Sequence, residues 1–310
     1  MGIKNYYSRR ELLKVLALGA SSRLLFPFSH FKFLAQMNMR EIPSTGEKIP
    51  VIGLGTWQTF DVGKSEDERA PLKEVLKILM EYGGSVIDSS PMYGRSEGVV
   101  GELTTELGIK DKIFEATKVW TSGEQAGIDQ MNESIKLMKA RPMDLMQIHN
   151  LVDWRTHIKT LRKMKDNGEI RYIGITHYHE GGYSEMEQIM KSEPIDFIQI
   201  NYNLMKREAE NRILPLAKDK GIGVLINRPY EGGALFRKCK DKPLPVWALE
   251  FDAMSCGQFF LKFILANEAV TCVIPGTSKA RHMTDNARAG FGSVPNSKQR
   301  AKMIDWFKSL

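Results

Sequence analysis

Short apolar segments alternate with longer amphipathic ones along most of this chain, and this alternation constrains the fold more than any other feature. Eight of the short segments have the length and composition of buried strands. They are residues 51–57, 85–90, 113–120, 143–150, 170–176, 196–203, 222–228 and 271–276. Single helical stretches lie between them. Residues 70–83, for example, place apolar side chains at helical spacing, and residues 157–168 end at a glycine.

Strands separated by single helices form parallel crossover units. Eight such units in about 270 residues predict an α/β protein of the closed (β/α)8, or TIM, barrel type. An open doubly wound sheet is the alternative, and a G-x-G-x-x-G turn would favour it. Gly53-Leu54-Gly55 continues as Thr56-Trp57-Gln58, so that motif is absent. Residues 40–50 indicate an N-terminal β-hairpin with Thr45 and Gly46 at its turn, which we expect to close the bottom of the barrel.

Charge and cysteine content exclude several classes of protein. The formal net charge is +7, but six basic residues and one acidic residue fall in the first 35 positions, so the remainder is nearly neutral. This distribution argues against a nucleic-acid partner. The three cysteines, Cys239, Cys256 and Cys272, have no metal-type spacing and do not indicate a disulfide framework. His177 and His179 lack a third ligand, so no metal site is expected.

The first 35 residues have the features of a leader. Arg9 and Arg10 stand between Ser8 and a Leu-Leu-Lys segment, an arrangement that resembles the twin-arginine (Tat) signal of bacterial export. Arg23 restricts the following apolar region to about eight residues, so a basic amphipathic helix on a cytoplasmic protein is the alternative. We expect residues 1–35 to be an export leader, residues 36–310 to be the barrel domain, and the mature protein to be periplasmic. No segment reaches the roughly 18 apolar residues of a membrane-spanning helix.

Titratable side chains stand at the ends of three consecutive predicted strands. Asp88 ends the second strand, with Tyr93 in the loop after it, Lys118 is near the end of the third, and His149 ends the fourth. Each of these residues alone is typical of a turn, a solvated strand end or a structural histidine. Active sites of (β/α)8 barrels gather at the C-terminal ends of the strands, so the four side chains are expected to share one pocket.

With these residues identified, the chain resembles the aldo-keto reductase family from about residue 40 to residue 286. The matching segments are GLGTW (53–57), residues 88–103 with MYGRSEG at their centre, ATKVW (116–120), MDLMQIHN (143–150), IRYIGIT (170–176), QINYN (199–203) and VIPGTSKARHMTDN (273–286). The resemblance implies reduction of an aldehyde or ketone by NADPH, with Asp88, Tyr93, Lys118 and His149 as the catalytic residues.

The chemistry of reduction explains why these four residue types belong together. Hydride addition to a carbonyl leaves an alkoxide-like oxygen, which needs a proton donor and nearby positive potential. We expect Tyr93 to be the donor, with the Lys118 ammonium lowering its pKa from about 10. A buried ammonium needs a partner, which Asp88 supplies. Neutral His149 can donate a ring N–H to the substrate oxygen.

The resemblance also implies a set of cofactor-binding residues. Gln199 and the Thr176-His177 pair correspond to the nicotinamide carboxamide site, although Ser-Asn is common at that pair. Asn227 stands where many relatives have a stacking tyrosine, so Arg228 or Tyr230 compensates, or the ring is held more loosely. The complete set is Gly55, Thr56, Thr176, His177, Gln199, Asn227, Arg228, Pro229, Thr277, Ser278, Lys279, His282 and Asn286.

The adenosine end is expected at the helix that follows the eighth strand, since helix N-termini favour phosphate. Thr277, Ser278 and Lys279 are the candidates for the 2′-phosphate of NADPH, and Asn286 for the adenine. His282 stands where the family often has arginine, so NADH stays open as the cofactor.

The substrate is the least constrained part of the function. Trp57 and Trp120, with His149 and a contribution from Trp154, are expected to line an apolar or aromatic carbonyl pocket. Two other functions stay open: an NADPH-binding sensor or accessory subunit with incidental turnover, and an unrelated barrel lyase or isomerase. The sequence does not indicate an oligomeric state.

Overall fold

Eight parallel strands follow one another around a single sheet in the computed structural model, which describes residues 36–310. A two-stranded antiparallel hairpin precedes them. The strands are β1 (Met39–Glu41), β2 (Lys48–Pro50), β3 (Leu54–Gly55), β4 (Val86–Asp88), β5 (Phe114–Val119), β6 (Met143–His149), β7 (Ile170–Thr176), β8 (Phe197–Asn201), β9 (Gly223–Asn227) and β10 (Cys272–Val273). Parallel bridges from Ile52 to Val273 and from Gly55 to Gly276 join the two edges, so the sheet closes into the predicted barrel.

Helices surround the sheet and separate its strands. They are α1 (Glu66–Glu81), α2 (Ser96–Glu106), α3 (Glu124–Met138), α4 (Trp154–Asp166), α5 (Tyr183–Ser192), α6 (Ile213–Lys220), α7 (Ala234–Lys238), α8 (Cys256–Leu265), α9 (Ala280–Arg288) and α10 (Ser297–Lys308). Short 3-10 turns occupy Lys110–Lys112, Glu180–Gly182, Glu208–Glu210, Glu231–Gly233 and Val246–Phe251. The predicted apolar face of α1 is buried. Gly168, which the sequence indicated as the C-terminal end of a helix, follows α4 with φ +75°.

The hairpin covers the N-terminal end of the barrel. Its Ile42 and Ile49 belong to one buried cluster with Phe114, Tyr172 and Phe197, which lie in the N-terminal halves of β5, β7 and β8. Gly46 turns the hairpin with φ +76°, a conformation that favours glycine. The hairpin therefore closes the bottom of the barrel as predicted, and the opposite, C-terminal end is left for the site.

The first and last barrel strands are much shorter than the apolar segments that predicted them. A Cβ on Gly53 would lie 2.7 Å from the carbonyl oxygen of Val86, and one on Gly55 would lie 2.8 Å from that of Ile274. These glycines permit close approach of neighbouring backbones where the barrel closes. The Gly-Leu-Gly segment thus serves closure of the sheet, and it leads directly into the loop at the C-terminal mouth.

The predicted leader lies outside the described residues, and so does the proposed boundary at residue 35. Within residues 36–310, no helix is both long enough and apolar enough to cross a membrane.

Candidate active site

The four residues predicted to act together lie in contact at the C-terminal ends of β4, β5 and β6. The buried Lys118 ammonium donates to Asp88 Oδ2 at 2.7 Å and to the Ser89 carbonyl oxygen at 2.6 Å. It lies 5.0 Å from the centroid of the Tyr93 ring. The rings of Tyr93 and His149 meet edge to face, with centroids 5.9 Å apart. Neighbouring strands thus bring a carboxylate, an ammonium, a phenol and an imidazole into one pocket.

Two buried glutamines complete the surroundings of Asp88. Gln147 Nε2 and Gln199 Nε2 donate to Asp88 Oδ1 at 3.0 and 2.7 Å. Asp88 therefore meets an ammonium at one oxygen and two amides at the other. Sequence reasoning missed Gln147, although a signal was available: it precedes His149 by two residues, and side chains two apart on a strand point to the same face.

The loop that carries Tyr93 is fixed by hydrogen bonds at both ends. Tyr93 N–H donates to the Ser90 carbonyl oxygen at 3.0 Å, and Ser96 Oγ donates to the Tyr93 carbonyl oxygen at 2.7 Å. Gly94 between them has φ +61°, and a Cβ there would lie 2.5 Å from the Asp61 carboxyl group. The turn therefore requires glycine after the tyrosine.

Thr56 supports the same loop from the end of β3. Its hydroxyl oxygen lies 3.0 Å from the Asp88 carbonyl oxygen and 3.0 Å from Ser89 Oγ. The preceding Gly55 pairs with Asp88 across the strands. In this structure the predicted cofactor residues Gly55 and Thr56 position the end of β4.

Burial dominates the electrostatics of the pocket. It raises the pKa of Tyr93, against the opposing effect of Lys118, and the Asp88 charge raises it further. The expected lowering of this pKa by Lys118 is thus outweighed, because the phenol is desolvated. Burial disfavours the Lys118 ammonium, yet Asp88 and Tyr93 raise its pKa. Burial, Lys118 and His177 lower the pKa of His149 to about 3, so its imidazole is neutral as predicted.

The residues predicted to hold the nicotinamide lie together at the ends of β7, β8 and β9. Gln199 Oε1 lies 3.4 Å from both Thr176 Oγ1 and Asn227 Nδ2, and Asn227 Nδ2 also lies 3.4 Å from the His177 carbonyl oxygen. No group among residues 36–310 donates to the buried Asn227 Oδ1. A buried unpaired acceptor is costly unless a ligand donor reaches it, so these residues fit the carboxamide of a nicotinamide.

Tyr230 and Arg228, the two residues expected to compensate for Asn227, make contacts in different places. Tyr230 donates its hydroxyl to Asn286 Oδ1 at 2.6 Å, and its ring packs on Phe236 at a centroid distance of 4.7 Å. Tyr230 therefore contacts both α7 and α9, and its compensation for Asn227 stays a prediction. Arg228 pairs with Glu231 at 2.9 Å at the end of β9 and is followed by the buried Pro229.

A cleft of about 400 Å³ opens beside this end of the barrel. It is lined by Tyr178, His179, Glu180, Gly181, Asn201, Lys206, Arg228 and Glu231. Lys206 forms an ion pair with Glu180 at 2.9 Å, so oppositely charged pairs border the cleft.

The predicted adenosine-binding residues surround the start of α9. Thr277 is buried and its Oγ1 accepts the Lys279 N–H at 3.1 Å, while Ser278 is partly exposed and Lys279 and His282 are exposed. Burial, together with Arg281 and Lys279, lowers the pKa of His282. The strongest positive charge here therefore comes from Lys279 and Arg281.

Asn286 is buried within α9 and does not lie on the helix surface. Its Oδ1 is occupied by Tyr230, so its amide N–H groups are the part that remains for a ligand.

Aromatic side chains border the mouth beside the tetrad. Trp57 is 49% exposed and Trp120 is 42% exposed, and the Trp120 ring centroid lies 6.3 Å from that of His149. Both indole rings are therefore exposed, and their contact with a substrate stays a prediction. Trp154 differs, because its indole N–H donates to Glu185 on α5 at 2.7 Å, and it contacts the surrounding helices.

Taken together, a closed barrel with titratable groups at its C-terminal mouth defines a (β/α)8 enzyme site. Residues 36–310 contain no group of three or more His, Cys, Asp or Glu side chains arranged to hold a metal.

Comparison with known proteins identifies the family. The model of the "Aldo/keto reductase family" matches residues 51–307, so the chain belongs to this family. The expected class, an NAD(P)H-dependent aldo-keto reductase, is thereby confirmed.

Individual relatives are moderately similar to the chain. The aldo-keto reductase YhdN of Bacillus subtilis is 30% identical over 206 residues, which span 61% of this chain and 61% of YhdN, less than two thirds of that protein's length. The methylglyoxal reductase YeaE of Escherichia coli is 25% identical over 81% of this chain and 89% of its own.

A solved structure shares the fold. The aldo/keto reductase of Klebsiella pneumoniae, in complex with NADP and acetate, has a TM-score of 0.72 at 21% identity and covers 84% of this chain and 93% of its own.

Proposed function

We propose that this protein reduces an aldehyde or ketone to an alcohol with NADPH and that Tyr93 donates the proton. The observation that carries this proposal is the Lys118–Asp88 ion pair, whose atoms are joined at 2.7 Å and which lies directly beside the Tyr93 ring. The Tyr93 ring in turn contacts the ring of His149. Bound reduced nicotinamide supplies a hydride. The chain must then neutralise the oxygen that gains charge, and a phenol beside an ammonium performs this step.

Each residue of the tetrad has a separate part in the proton transfer. Tyr93 stays protonated at neutral pH, because burial raises its pKa, and it releases its proton only to a strongly basic alkoxide. Lys118 stabilises the phenolate that remains. Asp88 keeps the ammonium charged in the buried pocket. Neutral His149 donates a hydrogen bond to the carbonyl oxygen without competing as an acid.

The cofactor site supports NADPH over NADH. The K. pneumoniae structure that shares this fold was solved with NADP, and a second neighbour from the same species was solved with NADPH. In this chain Lys279 and Arg281 place positive charge at the start of α9, where a 2′-phosphate would be stabilised. Asn227, Gln199 and Thr176 would hold the carboxamide, and Asn286 would contact the adenine.

The substrate is a carbonyl compound with an apolar or aromatic group. Trp57 and Trp120 present half-exposed indole rings, and the Trp120 ring lies beside His149. Such surfaces favour flat or apolar substituents. YeaE, a relative at 25% identity, is a methylglyoxal reductase, so small dicarbonyls belong in the same substrate panel.

The proposed location is the periplasm, reached through the twin-arginine leader of residues 1–35. Arg9 and Arg10 carry this proposal. Cell fractionation followed by sequencing of the N-terminus tests it. We expect a shortened protein in the periplasm, and an intact Met1 in the cytoplasm would contradict the export.

Replacing Tyr93 tests the proposed chemistry. We expect Tyr93→Phe to lower kcat by roughly 10²- to 10⁴-fold, the range of general acid catalysis, while NADPH binding is retained. Steady-state kinetics on a carbonyl panel and titration of the cofactor measure the two effects, and NADH is titrated in parallel. Tyr82→Phe is the matched control, because Tyr82 packs on Phe291 away from the tetrad. A Tyr93→Phe variant with normal turnover would contradict the proton-donor role.

A further inference from the structure

Ser90 is a polar residue beside His149 that the proposed chemistry does not use. It is fully buried in the loop between Asp88 and Tyr93, and its Oγ lies 3.0 Å from His149 Nδ1. The other contact of Ser90 Oγ is the Met92 N–H at 3.4 Å, which it accepts. Its own O–H must therefore find an acceptor elsewhere.

His149 Nδ1 is the acceptor that the geometry supplies. A neutral imidazole carries one proton, so one ring nitrogen donates while the other accepts. A proton on Nδ1 would point at Ser90 Oγ. The buried Ser90 hydroxyl would then have no acceptor among the described residues, which is an unfavourable arrangement. A proton on Nε2 satisfies both groups, because Ser90 donates and Nδ1 accepts.

This choice of tautomer matters for the substrate. Nε2 of His149 makes no hydrogen bond to any of residues 36–310, whereas Nδ1 is turned to Ser90 in the interior. A protonated Nε2 can donate to a carbonyl oxygen. An unprotonated Nε2 would instead present a lone pair to that oxygen and repel it.

We infer that Ser90 is a positioning residue, whose hydroxyl holds His149 in the Nε2–H tautomer required to donate to the carbonyl oxygen. The inference rests on the proposed function, since it assigns the residue that prepares His149 to bind the carbonyl oxygen in the proposed reduction. Ser90 acts through His149 and does not itself contact the reacting atoms. Its backbone carbonyl also accepts the Tyr93 N–H, a bond that an alanine at this position would keep.

Nitrogen NMR of the imidazole side chains tests the tautomer directly. The chain has six histidines, and the His149 signals are assigned as those that disappear in His149→Gln. We expect a protonated Nε2 and a hydrogen-bonded, unprotonated Nδ1 in the wild type, and a mixture of tautomers in Ser90→Ala. A wild-type His149 protonated on Nδ1 would overturn the inference.

Kinetics provide the second measurement. We expect Ser90→Ala to lower kcat/KM by roughly 10-fold, the scale of one lost hydrogen bond, with unchanged NADPH affinity. Ser90→Cys, which keeps a weak donor, should have an intermediate rate. Ser192→Ala is the matched control, because Ser192 ends α5 away from the site. Unchanged tautomer and rate in a folded Ser90→Ala would overturn the assignment.

The proposed function and the role of Ser90 can be contradicted by different results. Should the wild type reduce no carbonyl, the proposed function falls, and the tautomer seen by NMR still decides the role of Ser90.

Discussion

At the scale of single residues, the pocket is built around a buried ion pair, and a buried ion pair is by itself weak evidence of stability. Removing two charges from water costs several kcal/mol each, and their attraction does not always repay that cost. Lys118 is nonetheless fully buried, and Asp88 receives three stabilising contacts, from the ammonium and two glutamine amides. This arrangement is understandable when the ammonium is needed beside Tyr93.

Breaking this pair should damage both stability and activity. We expect Lys118→Met to lower the free energy of unfolding by about 3–5 kcal/mol, because it leaves the Asp88 carboxylate buried without its ion partner. The double variant Lys118→Met/Asp88→Leu should regain most of that stability and none of the turnover. Denaturant unfolding and carbonyl-reduction assays measure the two effects. Full activity in a stable double variant would contradict the role of Lys118.

The sequence predicts the four residues of the pocket but not their hydrogen-bond partners. Asp88, Tyr93, Lys118 and His149 could be predicted, because strand ends in a barrel converge on one face. Their hydrogen-bond partners could not, since the partners of Asp88 depend on side-chain directions across several strands. The direction of the Tyr93 pKa shift could not be predicted either, because the extent of its burial follows from the packed loop and not from its neighbours in sequence.

At the scale of elements, strand positions were predicted well and strand ends poorly. β7 has the predicted bounds, while β3 and β10 keep only two residues each of their longer apolar segments. An apolar segment of sequence indicates which residues are buried, and burial continues from the strands into the loops. The hydrogen-bond ladder between strands ends earlier. At the closure of the barrel it is replaced by close glycine contacts and isolated bridges.

We expect one buried acidic side chain near the N-terminal end of the barrel, Glu115, to make the free energy of unfolding depend on pH. Burial raises the pKa of Glu115 on β5 to about 7, against the opposing effect of Lys110, and the nearby Asp144 raises it further. Folded Glu115 therefore holds its proton at a pH where the unfolded chain has lost it. The stability that this group contributes is complete below about pH 4.5 and is lost as the pH rises through about 7.

Replacing this glutamate should remove the dependence. We expect the stability of wild type relative to Glu115→Gln to fall steadily between about pH 4.5 and about pH 7. Thermal melts across that range measure it. Glu133→Gln is the control for the same chemical change at an exposed position, since Glu133 lies on α3 beside Lys136. A difference that is constant with pH would contradict the raised pKa.

At the scale of the whole molecule, the fold was predictable because eight strand–helix units leave few alternatives to a closed barrel. The hairpin was predictable from its turn. It covers the N-terminal end of the barrel, so the C-terminal end is the one left open for the site. Export stays a proposal for residues 1–35, and it has a consequence for the barrel. NADPH is not expected to be regenerated outside the cytoplasm, so an exported reductase would have to carry its cofactor bound to the folded domain.

Conversion of a carbonyl to its alcohol by the purified protein tests the central claim most directly. Wild type is mixed with NADPH and a panel of aromatic, aliphatic and dicarbonyl substrates, and both nicotinamide absorbance and alcohol product are followed. We predict one alcohol formed for each NADPH oxidised, with aromatic or apolar substrates preferred. NADPH that binds tightly while no carbonyl in the panel is reduced would contradict the reductase account and favour a cofactor-binding role without turnover.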